Sequence, residues 1–153
     1  MNSGLPVHPP FSPQDRLALI QRARTAVMEG DTPAVVPWVQ PWIQRSWRRC
    51  LEQGMQPRQA VSFEAVSAPM VRRAIEANQP LLRAAAPVIR SLARAMADTR
   101  YFAILTDAQG VVIDVNGPVD RQEPSASAIA RVGVDLSEQA VGTTAIGATL
   151  AEE

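Results

Sequence analysis

The sequence predicts an α+β fold that is mostly helical: an N-terminal helical segment, then one β-hairpin with short helices after it. Three observations predict this. Apolar residues recur at helical spacing from about residue 12 to residue 97. At Tyr101 the pattern changes to YFAILTDAQGVVIDVNG, a β-branched-rich run with a turn in its middle. Charge divides at the same place. All fifteen basic residues are arginine, thirteen of them against seven acids in residues 1–100, and two against eight acids in residues 101–153.

The proline-bearing residues 1–11 read as a loose tail. Ser12-Pro13-Gln14-Asp15 then signals a helix start: a hydroxyl cap, proline at the first position and an acid three residues after the cap. Leu17, Ile20, Val27 and Met28 supply its apolar stripe to about Glu29, where Gly30-Asp31-Thr32-Pro33 stops it. A second helix opens at Pro41, with Ile43, Trp47, Cys50 and Leu51 on one face and Gly54 just past its C-cap. From Ser62 to Ala97 the pattern stays helical, first through Val66, Met70, Val71 and Ile75. It continues through Leu81, Leu82, Ala85, Ile89, Leu92 and Met96. Pro87 inside this last run removes one backbone donor and crowds the carbonyl of Arg83, so a kink or short break is expected there. Strands are expected near 101–106 and 111–116, joined by Asp107-Ala108-Gln109-Gly110. Short helices are expected over 124–132 and 143–151. A two-stranded hairpin is marginal alone and needs further strands or a covering helix.

Composition excludes several classes of function. The chain has 153 residues, 46% hydrophobic and 20% charged, enough for one globular domain and a tail. One cysteine, Cys50, permits no internal disulfide, and one histidine, His8, leaves nothing for a His-based metal site or a catalytic triad. No apolar run reaches the roughly 18 residues of a membrane helix, and no signal peptide is visible, so a cytoplasmic, membrane-free protein is expected. Gly142-Thr143-Thr144-Ala145-Ile146-Gly147-Ala148-Thr149 lies one residue from a phosphate loop, but Ala148 stands where the lysine belongs and no buried strand precedes it. The alternative is that Gly142 and Gly147 permit close backbone packing while Thr143 or Thr144 caps a helix. Asp107 and Asp114 straddle a turn, a place for turn chemistry rather than acid–base work. The chain therefore reads as non-catalytic, with no cofactor. Its charge asymmetry fits either nucleic-acid contact or attraction between its own two halves, and the spread of the arginines over several helices favours the second.

The ordered series Arg45-Ser46-Trp47-Arg48-Arg49-Cys50, Gly54 and Pro57 resembles a signature of one regulator family. Its members are the bacterial sigma-54-dependent, Fis-type transcriptional activators of the acetoin-catabolism and glycerol-regulator type. Asn78, Leu81-Leu82, Leu105-Thr106-Asp107-Ala108 and Gly110 are similar to the family's helix-to-hairpin passage. Gly133, Ser137-Glu138 and Gly142-Thr143-x-Ala145-Ile146-Gly147 resemble its next segment. Leu136 stands where the family usually has tryptophan, and Thr144 where it usually has asparagine. The resemblance covers residues 40–151. It implies a helical N-terminal segment, residues 12–97, and the first part of a GAF-like sensory domain, residues 98–153, whose remainder is expected beyond this chain. DNA and sigma-54 polymerase would be reached only through domains absent here.

On that resemblance the chain is the signal-sensing portion of a regulator. Thr106, Asp107, Glu138, Gly142, Thr143 and Thr144 are then the candidate residues for a small-molecule effector. The alternative is an interaction module without ligand, a homo-oligomer whose helices pair through Trp38, Trp42 and Trp47.

Overall fold

The computed structural model describes residues 12–29, 39–56, 59–64 and 66–152. Trp38 and Pro57, the expected tail and the expected stop at Gly30-Asp31-Thr32-Pro33 lie outside the described residues. The fold is α+β and mostly helical, as the sequence predicts, with its strands in a two-stranded antiparallel sheet.

Helix α1 (Pro13–Met28) begins where the cap signal places it. The Ser12 hydroxyl accepts the Asp15 amide at 3.2 Å while the Asp15 carboxylate accepts the Ser12 amide at 3.3 Å, a reciprocal capping box. Helix α2 (Pro41–Glu52) packs across α1. Ala23 and Val27 from α1 bury against Val39 and Trp47, with Ile20 and Ile43 at the margin. This is the first apolar cluster.

Helix α3 (Ala68–Ala77) starts six residues later than the helical pattern suggests. The reason is local: Ser67 accepts the Met70 amide and Pro69 sits in the first turn, so the helix begins at its cap. Phe63 and Val66, before the cap, are free to pack into the second apolar cluster. Helix α4 (Gln79–Ala95) continues through Pro87 without the expected short break. Arg83 and Pro87 both lie on an exposed face, so the carbonyl that loses its donor is on the solvent side.

Strands β1 (Ala103–Thr106) and β2 (Val112–Asn116) form the expected hairpin, each slightly shorter than the sequence pattern. The register pairs Ile104 with Val115 and Thr106 with Val112, with an irregularity between Leu105 and Thr106. Segment 133–136 adds a rudimentary third strand not visible in the sequence: Val112 donates to the Val134 carbonyl at 2.8 Å, and Leu136 donates to that of Gly110 at 2.9 Å. Helices α3 and α4 cover this sheet. Val112, Val134, Leu136 and Val141 form the second cluster. The chain ends in short helices α5 (Pro124–Ile129), α6 (Glu138–Val141) and α7 (Ala145–Glu152). Among the described residues no helix is long and apolar enough to cross a membrane.

Candidate functional site

Where the two clusters meet, α2 faces α6 and α7, and the facing surfaces are polar. The asymmetric charge of the chain closes here on itself. The Arg49 guanidinium grips the Glu138 carboxylate with two donors, at 2.8 and 2.9 Å, and reaches Glu152 at 2.7 Å with a third. Arg45, one turn earlier, also donates to Glu152. Glu138 is only 5% exposed, while Arg49 keeps about a quarter of its side chain in water. Burial pushes the Glu138 carboxyl up, but the Arg49 fork, helped by Ser46, outweighs it and holds the group below its usual range. Hydrogen bonds from Arg45 and Arg49 bring Glu152 down to about 2.

Beside this pair the Ser46 and Thr143 hydroxyls meet at 2.8 Å, and the Cys50 sulfur lies 3.6 Å from Thr143. Thr143 also forms part of the wall of a cavity of about 430 Å³. The cavity runs between α1, α2, the segment after α2 and the α6–α7 turn. Its apolar surface comes from Met28, Trp47, Met55 and Val141, and its polar surface includes Gln21, Arg24, Gln56 and Gln59. One residue, Thr143, therefore touches both the open volume and the hydrogen-bonded surroundings of the ion pair.

The Gly142–Gly147 stretch behaves as a packing and capping device. Thr144 accepts the Gly147 amide at 2.9 Å, capping α7, and its hydroxyl donates to the Leu136 carbonyl at 3.3 Å. A Cβ at Gly147 would lie 2.7 Å from the Glu138 amide nitrogen, so α6 and α7 approach this closely only because the residue is glycine. Gly142 ends α6 with φ at 77°, a left-handed backbone that β-carbon-bearing residues rarely take.

Four of the six expected ligand residues thus gather in one place. Gly142 and Thr143 line the cavity, and Glu138 and Thr144 hold the elements that carry them. Thr106 and Asp107 do not line it. Thr106 pairs with Val112 in the sheet, and Asp107 accepts the amides of Gln109 and Val111 at 3.0 and 2.9 Å, ordering the hairpin turn. Of the three tryptophans expected at an interface, Trp47 is 6% exposed and committed to the first cluster, whereas Trp42 is 37% exposed. Sequence reasoning missed Arg49 and Glu152. The signal was present in Arg45 and Arg49, four residues apart on one helix, and in the excess of acids over arginines in the other half.

The family model described as "MimR, N-terminal domain" matches residues 17–153. The chain belongs to this family. It is similar to the acetoin catabolism regulatory protein of Cupriavidus necator, 34% identical over 110 residues, covering 71% of this chain and 16% of the relative. It also resembles two proteins named propane 2-monooxygenase operon transcriptional activator MimR. That of Mycolicibacterium smegmatis is 31% identical over 132 residues, covering 85% of this chain and 21% of the relative. That of Mycolicibacterium goodii is 29% identical over 140 residues, covering 90% and 22%. The chain therefore spans about a sixth to a fifth of the length of these relatives. No solved structure matches it. Two positions where the chain departs from the regulator signature have structural substitutes: Leu136 is buried in the second cluster, and Thr144 supplies the α7 cap.

Proposed function

We propose that the chain is the signal-sensing N-terminal portion of a bacterial transcriptional regulator, and that the cavity beside Gly142 and Thr143 receives a small-molecule effector. The relatives are named as regulatory proteins and activators, which supports a regulatory and non-catalytic reading. The observation that carries the site is the cavity itself. Its 430 Å³ falls within the roughly 300–1,000 Å³ of small-molecule sites, and it pairs tryptophan and methionine surface with glutamine amides and Arg24, which suit a small hydrogen-bonding molecule. The hairpin with its covering helices supports reading residues 98–153 as the opening part of a GAF-type domain.

An effector seated against Thr143 would favour one arrangement of the Ser46–Thr143 contact and of the Arg49–Glu138 pair next to it. The attachment of α6 and α7 to α2 then differs between free and bound states, and the bias passes along the chain to the DNA- and polymerase-directed parts of the regulator. Isothermal titration with small ketones and diols tests the reading. Saturable heat, with a matching change in Trp47 fluorescence, is expected. Absence of heat with these compounds, while unrelated metabolites bind, would overturn the ligand class.

A further inference from the structure

Helix α4 covers the sheet with one face and leaves a second apolar face in solvent. Leu81, Val88 and Leu92 are 40%, 61% and 46% exposed, although they are large hydrophobic residues. Together with Ala85 and Ala95 they follow spacings of four, three, four and three, the repeat of a helix–helix seam. Leu82 and Ile89, which face inward, lie about a quarter-turn away, so burial against the sheet leaves the seam uncovered. Arg83, Arg90 and Arg94 lie roughly opposite the seam, and its immediate flank on the open side is Ala84 and Ser91. The face carries no charge.

We propose that this face pairs with the same face of a second copy of the chain, antiparallel, about a two-fold axis at Val88. Size and charge select both the partner and the direction. With Val88 on the axis, Leu81 of one copy meets Ala95 of the other, and Leu92 meets Ala84, so each large side chain faces a small one. A parallel pair would set Leu81 against Leu81 and Ala85 against Ala85, alternating wide and narrow layers along helices that cannot follow both. Two like-charged surfaces would repel, but here the arginines of both copies point away from the contact. Because the interface is one helix face about 25 Å long by its 1.5 Å rise per residue, it belongs at the small end of stable interfaces. A concentration-dependent dimer is the expected form.

This pairing is independent of the effector reading, since the cavity and the α4 face share no residue. Sedimentation equilibrium tests it on the whole chain. The wild type should dimerise as concentration rises, and Val88→Glu should remain monomeric with an unchanged circular dichroism spectrum. Val88→Ser repeats the comparison should the glutamate disturb the helix. Direction is read by cross-linking, with the wild type, whose one cysteine is buried, as the blank. Leu81→Cys mixed with Ala95→Cys should form mixed disulfides, and Leu81→Cys alone should not link to itself. A wild-type chain that stays monomeric throughout, a dimer that survives Val88→Glu, or self-linking of Leu81→Cys would each overturn the proposal.

Discussion

The two apolar clusters and the junction between them are built from different physics. The α1–α2 cluster buries Ala23, Val27 and Trp47, and the sheet cluster buries Val112, Val134 and Leu136, all by removing hydrocarbon from water. Such contacts have no direction and little dependence on pH. The junction is held by Arg49, Glu138, Glu152 and a pair of hydroxyls, whose strength depends on geometry, charge state and salt. The cavity opens at the junction. The clusters thus fix the shape of each half by burial, while the attachment of one half to the other rests on charge and hydrogen-bond geometry.

Removing the central cation should break this contrast most visibly. Arg49→Met leaves the Glu138 carboxylate buried without its partner. Losing one member of a buried pair costs about 3–5 kcal/mol; the partial exposure of Arg49 lowers the expectation to about 2–3 kcal/mol. Urea unfolding should show that loss, and adding Glu138→Leu to the variant should recover much of it, because the uncompensated charge is then gone. If the single variant matched the wild type, Arg49 would be ornamental to stability, and coupling between the halves would have to run through Arg45 with Glu152 and the hydroxyls.

This junction marks the limit of what the sequence disclosed. The capping box at Ser12 and Asp15, the buried face of Trp47 and Cys50, and the hairpin turn at Asp107 are local. Their signals lie within a few residues and were legible from spacing. Glu138 and Arg49 are 89 residues apart, and no periodicity links them. Only the division of charge between the two halves hinted at their meeting, and it could not say which arginine meets which acid. The same reason explains why Thr106 and Asp107 looked like companions of Gly142. Adjacency of motifs in a familiar order says nothing about which side of a sheet each one reaches. At Pro87 the helix continues without a break, because the cost of a proline in a helix interior is small where the orphaned carbonyl faces water.

A smaller effect separates the capping role of the Gly142–Gly147 stretch from a ligand role. Thr144→Ala removes the oxygen that accepts the Gly147 amide and should cost about 1 kcal/mol. Thr144→Asn, which restores an equally good cap, should leave thermal stability close to that of the wild type. If the two substitutions were indistinguishable in a melting experiment, the hydroxyl would not be stabilising α7, and a role in contacting an effector would become the better account of Thr144.

The smallest expected change is the most specific to the junction. Glu152 is drawn down to about 2 by Arg45 and Arg49, whereas in the unfolded chain it titrates near 4.5. Over that interval the unfolded chain binds the proton and the folded chain does not, so acid favours unfolding. The contribution of Glu152 is present above about 4.5 and is lost as pH falls towards 2. Glu138, also held below its usual range, acts in the same direction. In Glu152→Gln the carboxylate is absent at every pH, so the variant should melt slightly earlier than wild type at neutral pH and converge with it in acid. Added salt should narrow the neutral-pH gap, because Arg45 is 53% exposed and its attraction to Glu152 is screened. A gap that instead stayed constant from neutral pH to pH 2 would mean that Glu152 acts through packing, and the junction would then resemble the two clusters more than it differs from them.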